Sequence, residues 1–342
     1  MPPQNPNVAI VFRNFKAYGH DKYSHIGLGI NAYHTARVLR AHGIPADPVS
    51  VFYVTDIAPK LKGTPYTHVI LDAPWIQKGD LTALLSQFPD KLFIVRCHSQ
   101  VGFLQVDPGA VQIILDDLSL QESLLNLRVA GNSHRFTRFI EHVYNKRCLL
   151  LPNLYDLERP VVRGFSDVDE VIRVASFGSI RHLKMHSVAA AGALWLARKH
   201  RKQLEFHLSV HRDEHGDGAL RAIRNMFAPL PWAKLIENPW ADWSEFRTLV
   251  ANMNLFLQVS ATETFNIATA DAIAEGVPCV VTHAIDWVPE RWKVEIDDVE
   301  AIANTGWALL ADPTVPAEGL RALYRNQEEA FEHWQRVLFA VS

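Results

Sequence analysis

A repeated alternation of short apolar runs with connectors long enough for a helix most constrains how this 342-residue chain can fold. Short continuous apolar runs are typical of strands that are buried on both faces. The pattern therefore predicts a parallel sheet covered by helices. In the first half, strands are predicted at 8–12, 49–54, 68–71, 92–95, 111–115, 127–130 and 148–151, and helices at about 29–42 and 133–146.

The same alternation restarts after a polar segment without periodicity. Beyond that segment, strands are predicted at 172–177, 204–210, 255–259 and 278–282, and helices at about 185–200, 218–228, 266–275, 298–310 and 317–338. The sequence thus predicts an α/β protein with two doubly wound, Rossmann-like domains that face each other across a cleft. We place the domains at 1–157 and 171–320, with a linker at 158–170 and a C-terminal helix at 321–342 that packs back toward the first domain.

Composition excludes several classes of protein. Lys and Arg number 34 against 37 Asp and Glu, so the net charge of -3 excludes a strongly basic nucleic-acid-binding protein, although not a local basic face. No apolar run is long enough for a transmembrane helix, and the N-terminal residues lack the pattern of a secretory signal. Cys97, Cys148 and Cys279 are far apart, so we expect a reducing, cytoplasmic location rather than disulfides or a zinc ribbon.

One segment of the second domain has an acid after a predicted strand and another on the helix that follows. Glu263 lies in the polar loop, and the helix begins near Asn266. The opening turn of a helix exposes N–H groups and about half a positive charge, so the amides of Asn266 and Ile267 can bind a phosphate. Asp271 lies about 7.5 Å further along the helix axis, a separation that suits a ribose bound beside that phosphate. Taken alone, the two acids also fit ordinary solvated acids near a helix start.

Cations follow a second strand of the same predicted sheet. Gly178 permits a tight turn after strand 172–177, and Arg181 and Lys184 come next. Arg can bind two phosphate oxygens at once, whereas Lys acts as a point charge. Because both loops emerge at one edge of the sheet, we expect them to bind the same anion, although an exposed basic loop is the alternative interpretation.

These motifs resemble those of retaining glycosyltransferases of the GT-B fold, and most closely glycosyltransferase family 4. Members of that family have an acid, seven residues, a second acid and then a Gly-x-Pro strand. This chain has Glu263, seven residues, Asp271 and then the tripeptide 276–278. The family's loop of a glycine followed by Arg and Lys is similar to the segment 178–184.

The resemblance extends through the first domain. The segment 24–43, which includes Gly27 and Gly29, is similar to the family's glycine-rich loop and first helix. The resemblance implies that these two glycines help to bind the donor. His98, which follows the predicted strand 92–95, resembles a family histidine near the donor sugar. A histidine held by backbone groups at a strand end is the alternative interpretation.

The activity that the resemblance implies is transfer of a sugar from a nucleoside diphosphate sugar to an acceptor hydroxyl, with retention at the anomeric carbon. Arg181, Lys184 and the helix amides would stabilise the departing diphosphate, and Glu263 would orient the sugar. These cations would replace a metal, so we expect neither a metal nor a cofactor. The nucleotide sugar would be a co-substrate.

The sequence also departs from the family pattern. The second acid is usually Glu, and Asp271 is one methylene group shorter, although Glu275 lies one turn later and could partly replace it. Thr264 and Asn266 stand where the family has two glycines. Two alternatives therefore stay open: a non-catalytic nucleotide-sugar-binding or scaffold protein of the same fold, and a nucleotide-sugar epimerase.

The acceptor is not identified by the sequence, and a glycan, a lipid or a modified nucleic acid all fit. Four basic residues lie on and just after the predicted helix 133–146: Arg135, Arg138, Lys146 and Arg147. Their pattern favours an ordinary solvated helix face. An anionic acceptor or peripheral contact with a membrane stays open.

Three histidines repeat every four residues, at His207, His211 and His215. That spacing on a helix would suit a metal. Because the first of them lies on a predicted strand, we predict no metal site.

Overall fold

A computed structural model of the chain describes residues 5–15, 26–157, 170–210 and 217–339. The chain divides into two compact units, one formed by Met1–Asp156 with Gln327–Ser342 and the other by Leu157–Asn326. All but the last residue of the predicted linker 158–170 lies outside the described residues.

The first unit is built on a parallel sheet of six strands. They are β1 (Val8–Arg13), β2 (Ala46–Val51), β3 (His68–Asp72), β4 (Leu92–Cys97), β5 (Leu127–Gly131) and β6 (Leu149–Leu150). Their order is β2-β1-β3-β4-β5-β6, so the winding reverses between β1 and β3. β2 lies three residues earlier than predicted, because Val54 belongs to a 3-10 turn.

Helices connect these strands, because parallel strands need long crossover connections. They are α1 (Gly27–Ala41), α2 (Ile57–Leu61), α3 (Lys78–Gln87), α4 (Val101–Leu104), α5 (Pro108–Ser123) and α6 (His134–Tyr144). β1 is buried along all but its last residue, which agrees with a strand covered on both faces.

The predicted strand at 111–115 is wrong, because these residues form the middle of α5. The carboxylate of Asp107 accepts a hydrogen bond from the Ala110 amide and caps the helix, and Pro108 occupies the first position, where an N–H is not needed. An apolar run of five residues fits a buried helix as well as a strand, so the run alone could not decide. The buried side chains recur at helical spacing, at Ala110, Ile114 and Leu118.

The second unit has its own parallel sheet of six strands. They are β7 (Val171–Ser176), β8 (Gln203–Ser209), β9 (Ala233–Asn238), β10 (Leu255–Gln258), β11 (Cys279–Thr282) and β12 (Lys293–Val294). Their order is β12-β11-β10-β7-β8-β9, so β7 and β10 are neighbours although two strands, β8 and β9, separate them in the chain order. The same order, with its reversal between the first and fourth strands in chain order, occurs in doubly wound sheets that bind dinucleotides.

Six helices accompany this sheet within the described residues: α7 (His186–Lys199), α8 (Asp217–Phe227), α9 (Trp243–Ala251), α10 (Ile267–Ala274), α11 (Val299–Leu310) and α12 (Val315–Leu338). The prediction of two doubly wound α/β domains is confirmed. In this unit, β9, α9 and the short β12 had not been predicted from the sequence.

α12 passes from the second unit to the first, because Gln327 is the first of its residues that belong to the first unit. Phe331 stacks on His42 at 3.7 Å between ring centres. Trp334 is fully buried among the side chains of β1 and α1, and its indole donates to the carbonyl of Pro152 at 2.8 Å. The C-terminal part of the helix is therefore a component of the first unit's core.

Candidate functional site

The candidate site lies at the carboxyl ends of β7 and β10, where the strand order of the second sheet reverses. From these two strands the chain continues toward opposite edges of the sheet. Their ends therefore open a crevice, which is where doubly wound sheets bind ligands. The loops that border it span 177–185 and 259–266, and both had been singled out from the sequence.

The loop after β7 brings two cations together. Gly178 has φ +126°, a backbone conformation that side-chain-bearing residues rarely adopt, and it lets the chain turn sharply. The Lys184 amide then donates to the Arg181 carbonyl at 3.1 Å and closes a 3-10 turn. The turn therefore keeps Arg181, which precedes it, and Lys184, which ends it, within one short loop at the carboxyl end of β7.

His186 holds this loop from beneath and was not identified from the sequence. Its Nε2 lies 3.3 Å from the Ser179 carbonyl and its Nδ1 lies 3.0 Å from the Ser176 hydroxyl. Burial lowers the pKa of His186 to about 4, so the ring is neutral. A neutral ring donates from Nε2 to the carbonyl and accepts the hydroxyl at Nδ1, which fixes the turn that presents Arg181.

The two loops are joined by a backbone hydrogen bond and an ion pair. The Ala261 amide donates to the Leu183 carbonyl at 2.8 Å, and Lys184 Nζ pairs with Glu263 Oε1. The Lys184 and Glu263 side chains are only 19% and 12% exposed, so solvent screens the pair less than a surface pair. The structure thus brings together two of the predicted catalytic residues.

Asn266 begins α10 and organises the second loop. Its φ of 60° lies in the left-handed region, where Asn is tolerated better than most residues other than Gly. Its Oδ1 accepts from the Thr269 amide at 2.9 Å, and its Nδ2 donates to Gln258 Oε1 at 3.1 Å. Gln258 in turn donates to the Phe177 carbonyl at 2.8 Å, so a chain of side-chain contacts connects the start of α10 to β7.

The start of α10 has the character of an anion-binding site. The cap satisfies the Thr269 amide, and no hydrogen bond to the amides of Asn266 and Ile267 is found among the described residues. Such amides, together with the positive end of the helix dipole and the cations of the facing loop, favour a bound anion. The start of α10 near Asn266 is as predicted.

Asp271 is buried, and two side chains of α9 contact its carboxylate. Its Oδ1 accepts from the Trp243 indole at 3.0 Å and lies 3.7 Å from Arg247 Nη1. Arg247 also donates from Nε to Glu275 at 2.6 Å. Asp271 and Glu275, one turn apart, are therefore fixed by the same guanidinium, and this arrangement was not visible in the sequence because α9 had been missed.

In the first unit, the structure corrects one expectation about the glycines. Gly27 and Gly29 lie in the first turn of α1 rather than in a loop before it. The N-cap residue Ile26 makes no side-chain hydrogen bond, so this helix start has no side-chain cap. The residues that precede it, 16–25, lie outside the described part of the chain.

His98 belongs to a buried polar cluster at the carboxyl ends of β3 and β4. Its Nε2 lies 3.2 Å from Asp72 Oδ1 and 3.1 Å from Arg96 Nη2. Arg96 and Asp72 are fully buried and form an ion pair at 3.0 Å, and Asn31 donates to Asp72 at 2.9 Å. Asp72 and Arg96 follow predicted strands directly, which was the signal that could have identified them.

The charges of this cluster oppose the cost of burial. Burial raises the pKa of Asp72, but Arg96 and His98 outweigh it, and the net pKa lies below its ordinary value. Burial lowers the pKa of His98 more than Asp72 raises it. Asp72 is thus ionised and His98 is neutral at neutral pH.

Three other features bear on the predicted chemistry. His207 is buried on β8, whereas His211 and His215 lie outside the described residues. In the described part of the chain, no group of three or more His, Cys, Asp or Glu side chains could hold a metal ion. Over the same residues, no helix combines the length and the apolar character needed to cross a membrane.

The sequence matches no protein-family model and no curated protein. Solved structures of glycosyltransferases are similar in fold. Sucrose-phosphate synthase from Thermosynechococcus elongatus is 14% identical, with 99% of this chain and 100% of that chain covered and a TM-score of 0.67. HepE from Anabaena, solved in complex with UDP, is 14% identical, with 97% and 98% covered and a TM-score of 0.62.

TarM from S. aureus, solved as a mutant with fondaparinux, α-GlcNAc-glycerol and UDP, is 12% identical with a TM-score of 0.62. The match covers 84% of this chain and 58% of TarM, so the chain spans little more than half the length of that protein. These similarities show that the fold is that of the GT-B glycosyltransferases.

Proposed function

We propose that this chain is a retaining glycosyltransferase that moves a sugar from a nucleoside diphosphate sugar to an acceptor hydroxyl. The observation that supports this most directly is the ion pair of Lys184 with Glu263 at the point where the strand order reverses. Arg181 on the same loop and the opening turn of α10 complete a site with both cationic and acidic groups. An anionic leaving group and a hydroxyl-rich sugar need that combination.

The proposed role of Arg181, Lys184 and the amides of Asn266 and Ile267 is to stabilise the diphosphate as it departs. Negative charge grows on the leaving oxygen in the transition state, and donors fixed in advance cost no reorganisation at that moment. Loss of one such donor typically costs on the order of 3 to 4 kcal/mol of activation free energy. Gly178 would act indirectly, through the turn that presents Arg181.

Glu263 is the proposed partner of the sugar hydroxyls. Its carboxylate accepts hydrogen bonds only, so it suits hydroxyl donors on the transferred sugar. In the proposed retaining reaction the acceptor attacks from the side of the leaving group, so no enzyme nucleophile is required. We propose that the reaction uses neither a metal nor a cofactor, because Arg181 and Lys184 supply the positive charge.

The remaining assignments follow the resemblance to glycosyltransferase family 4. We propose that Asp271 contacts the ribose of the donor, with Trp243 and Arg247 holding its carboxylate in place. We also propose that His98 contacts the donor sugar, and that Gly27 and Gly29 let the start of α1 approach the donor. The acceptor class stays open among glycan, lipid and modified nucleic acid, and a cytoplasmic location stays a proposal from the three free cysteines.

The test is release of nucleotide from UDP-, GDP- and ADP-sugars, together with calorimetric titration of the nucleoside diphosphates. We expect turnover with one donor and loss of nucleotide binding in Arg181→Ala. The matched control is Arg173→Ala, since Arg173 lies on β7 of the same unit and pairs with Glu205 away from the site. Binding without turnover would favour a non-catalytic protein, and conversion of the donor without an acceptor would favour an epimerase.

A further inference from the structure

An uninterrupted run of five basic residues lies where α7 ends and β8 begins. The run is Arg198, Lys199, His200, Arg201 and Lys202, and we call it the basic edge. Because β7, β8 and β10 are parallel, the start of β8 lies at the amino end of the sheet. The candidate transferase site occupies the carboxyl end, so the basic edge is a separate surface and its role does not depend on the proposed function.

Aromatic side chains hold part of the basic edge in place. The guanidinium of Arg198 lies 5.8 Å from the ring centre of Trp232, and the imidazole of His200 stacks on Trp307 at 3.6 Å with the rings 6° from parallel. Cation–π and stacking contacts of this kind restrict side chains that would otherwise move freely in solvent. The basic edge is therefore an ordered surface.

Within the part of the chain that the structure describes, three of these five basic residues have no acidic partner. Within the described residues, no ion pair forms to Arg198, Lys199 or Arg201, and Lys199 donates to a neutral amide of α11 instead. The acid on β8, Glu205, pairs with Arg173. In a chain with a net charge of -3, this is a local concentration of positive charge.

An exposed tryptophan lies beside the basic edge. Trp195 precedes Arg198 by three residues and Lys199 by four, so the three side chains share one face of α7. Trp195 is 47% exposed, although an indole is among the most costly side chains to leave in water. Exposed Trp next to Lys and Arg is the combination found at the boundary between water and lipid headgroups.

We propose that the basic edge, together with Trp195, binds the surface of an anionic lipid bilayer. Single-stranded nucleic acids bind proteins by stacking successive bases on several aromatic rings. Here Trp232 and Trp307 are covered by Arg198 and His200, which leaves Trp195 as the exposed ring of this surface. One indole among several cations matches interfacial insertion with attraction to anionic headgroups.

The test is sedimentation of the full chain with vesicles of phosphatidylcholine and phosphatidylglycerol, and with vesicles of phosphatidylcholine alone. We expect binding to the anionic vesicles only, with release at high salt. The triple variant Arg198→Gln, Lys199→Gln and Arg201→Asn should lower the partition coefficient about 100-fold. Asn is chosen at position 201 because φ there is 54°.

Two further variants separate this surface from a general effect of charge. Trp195→Ala should weaken binding to the anionic vesicles several-fold, while the salt dependence of that binding stays the same. The pair Arg135→Gln and Arg138→Gln, on exposed positions of α6, should leave binding as in the unmodified chain. Equal binding by the triple variant, no binding of the unmodified chain to anionic vesicles, or tighter binding to a dT oligonucleotide than to vesicles would each overturn the proposal.

Discussion

Lys184 and Glu263, 79 positions apart in the chain, form an ion pair that joins the loops after β7 and β10. Both side chains are mostly buried. In the proposed reaction Lys184 binds the diphosphate of the donor and Glu263 binds its sugar. The acid therefore pairs with the same cation that we propose binds the diphosphate. An incoming anion has to compete with Glu263 for Lys184.

This competition predicts opposite effects of Glu263→Gln on binding and on turnover. Removal of the carboxylate frees Lys184, and a partly buried pair contributes about 1 kcal/mol, so UDP should bind about five times more tightly. Sugar transfer should fall strongly, because a carboxylate only accepts hydrogen bonds, whereas the amide replaces one accepting oxygen by a donating NH2 group. Calorimetry with UDP and a nucleotide-release assay measure the two effects. Glu205→Gln, which removes an acid of the same unit, should change neither, and weaker UDP binding by Glu263→Gln would contradict the competition.

Gly178→Ala should disturb the cationic loop through its backbone. A Cβ would have room, since its nearest neighbour is Lys184 Cε at 3.9 Å, but φ of +126° costs on the order of 1 to 3 kcal/mol for a residue with a side chain. We expect lower stability and weaker UDP binding. Gly63→Ala, at φ +72° in the first unit, should lower stability without weakening UDP binding. Equal loss of UDP binding in both variants would show that the effect is global.

Asn266 combines a left-handed backbone with a helix cap, and two substitutions separate these roles. Asn266→Gly keeps the backbone conformation and loses the contacts to Thr269 and Gln258, so we expect a loss of about 1 kcal/mol. Asn266→Ala loses the conformation as well, and about 1 kcal/mol more. Urea denaturation measures both. The essential result is that Asn266→Gly is more stable than Asn266→Ala. The reverse order would show that the backbone conformation is unimportant.

The sequence predicted the meeting of Lys184 with the Glu263 loop because parallel strands place their carboxyl ends at one edge. That inference needs only parallel strands, which the alternation of apolar runs with helical connectors indicates. The start of α10 was equally accessible, since Asn266 stands before a run of helix-forming residues. The two doubly wound sheets followed from the same pattern.

Other parts of the site depend on contacts that no local pattern records. His186 has the spacing of an ordinary helix residue, and its role arises because the turn after Gly178 folds back over it. Trp243 and Arg247 reach Asp271 from α9, a helix that was missed among Trp and Pro residues. Long-range packing therefore decided the positioning residues, whereas the strand pattern was sufficient to predict that the loops of Lys184 and Glu263 meet.

The pKa of His186 predicts a loss of stability in acid. Burial holds this pKa near 4, below the ordinary 6.5, so the unfolded chain binds more protons between these values. Stability should therefore fall as pH decreases from about 6.5 to 4, by up to about 1.4 kcal/mol per pH unit for this residue. Urea denaturation of the unmodified chain and of His186→Gln should show a shallower dependence in the variant. Parallel pH profiles would contradict the assignment.

Asp117 predicts the opposite trend, on the alkaline side. Burial, with a smaller effect of Asp116, raises the pKa of this carboxyl on α5 to about 8, so the folded chain holds a proton that the unfolded chain releases near pH 4. Stability should therefore decrease from about pH 4 to pH 8 and level off above it. Asp117→Asn cannot ionise, so it should be more stable than the unmodified chain at pH 8.5 and similar in stability at about pH 3.5. The control is Asp116→Asn, at the neighbouring half-buried carboxylate, which accepts a hydrogen bond from Gln112; it should change this profile little. Urea denaturation measures stability against pH for both proteins. Parallel profiles would show that the carboxyl is already ionised at pH 5.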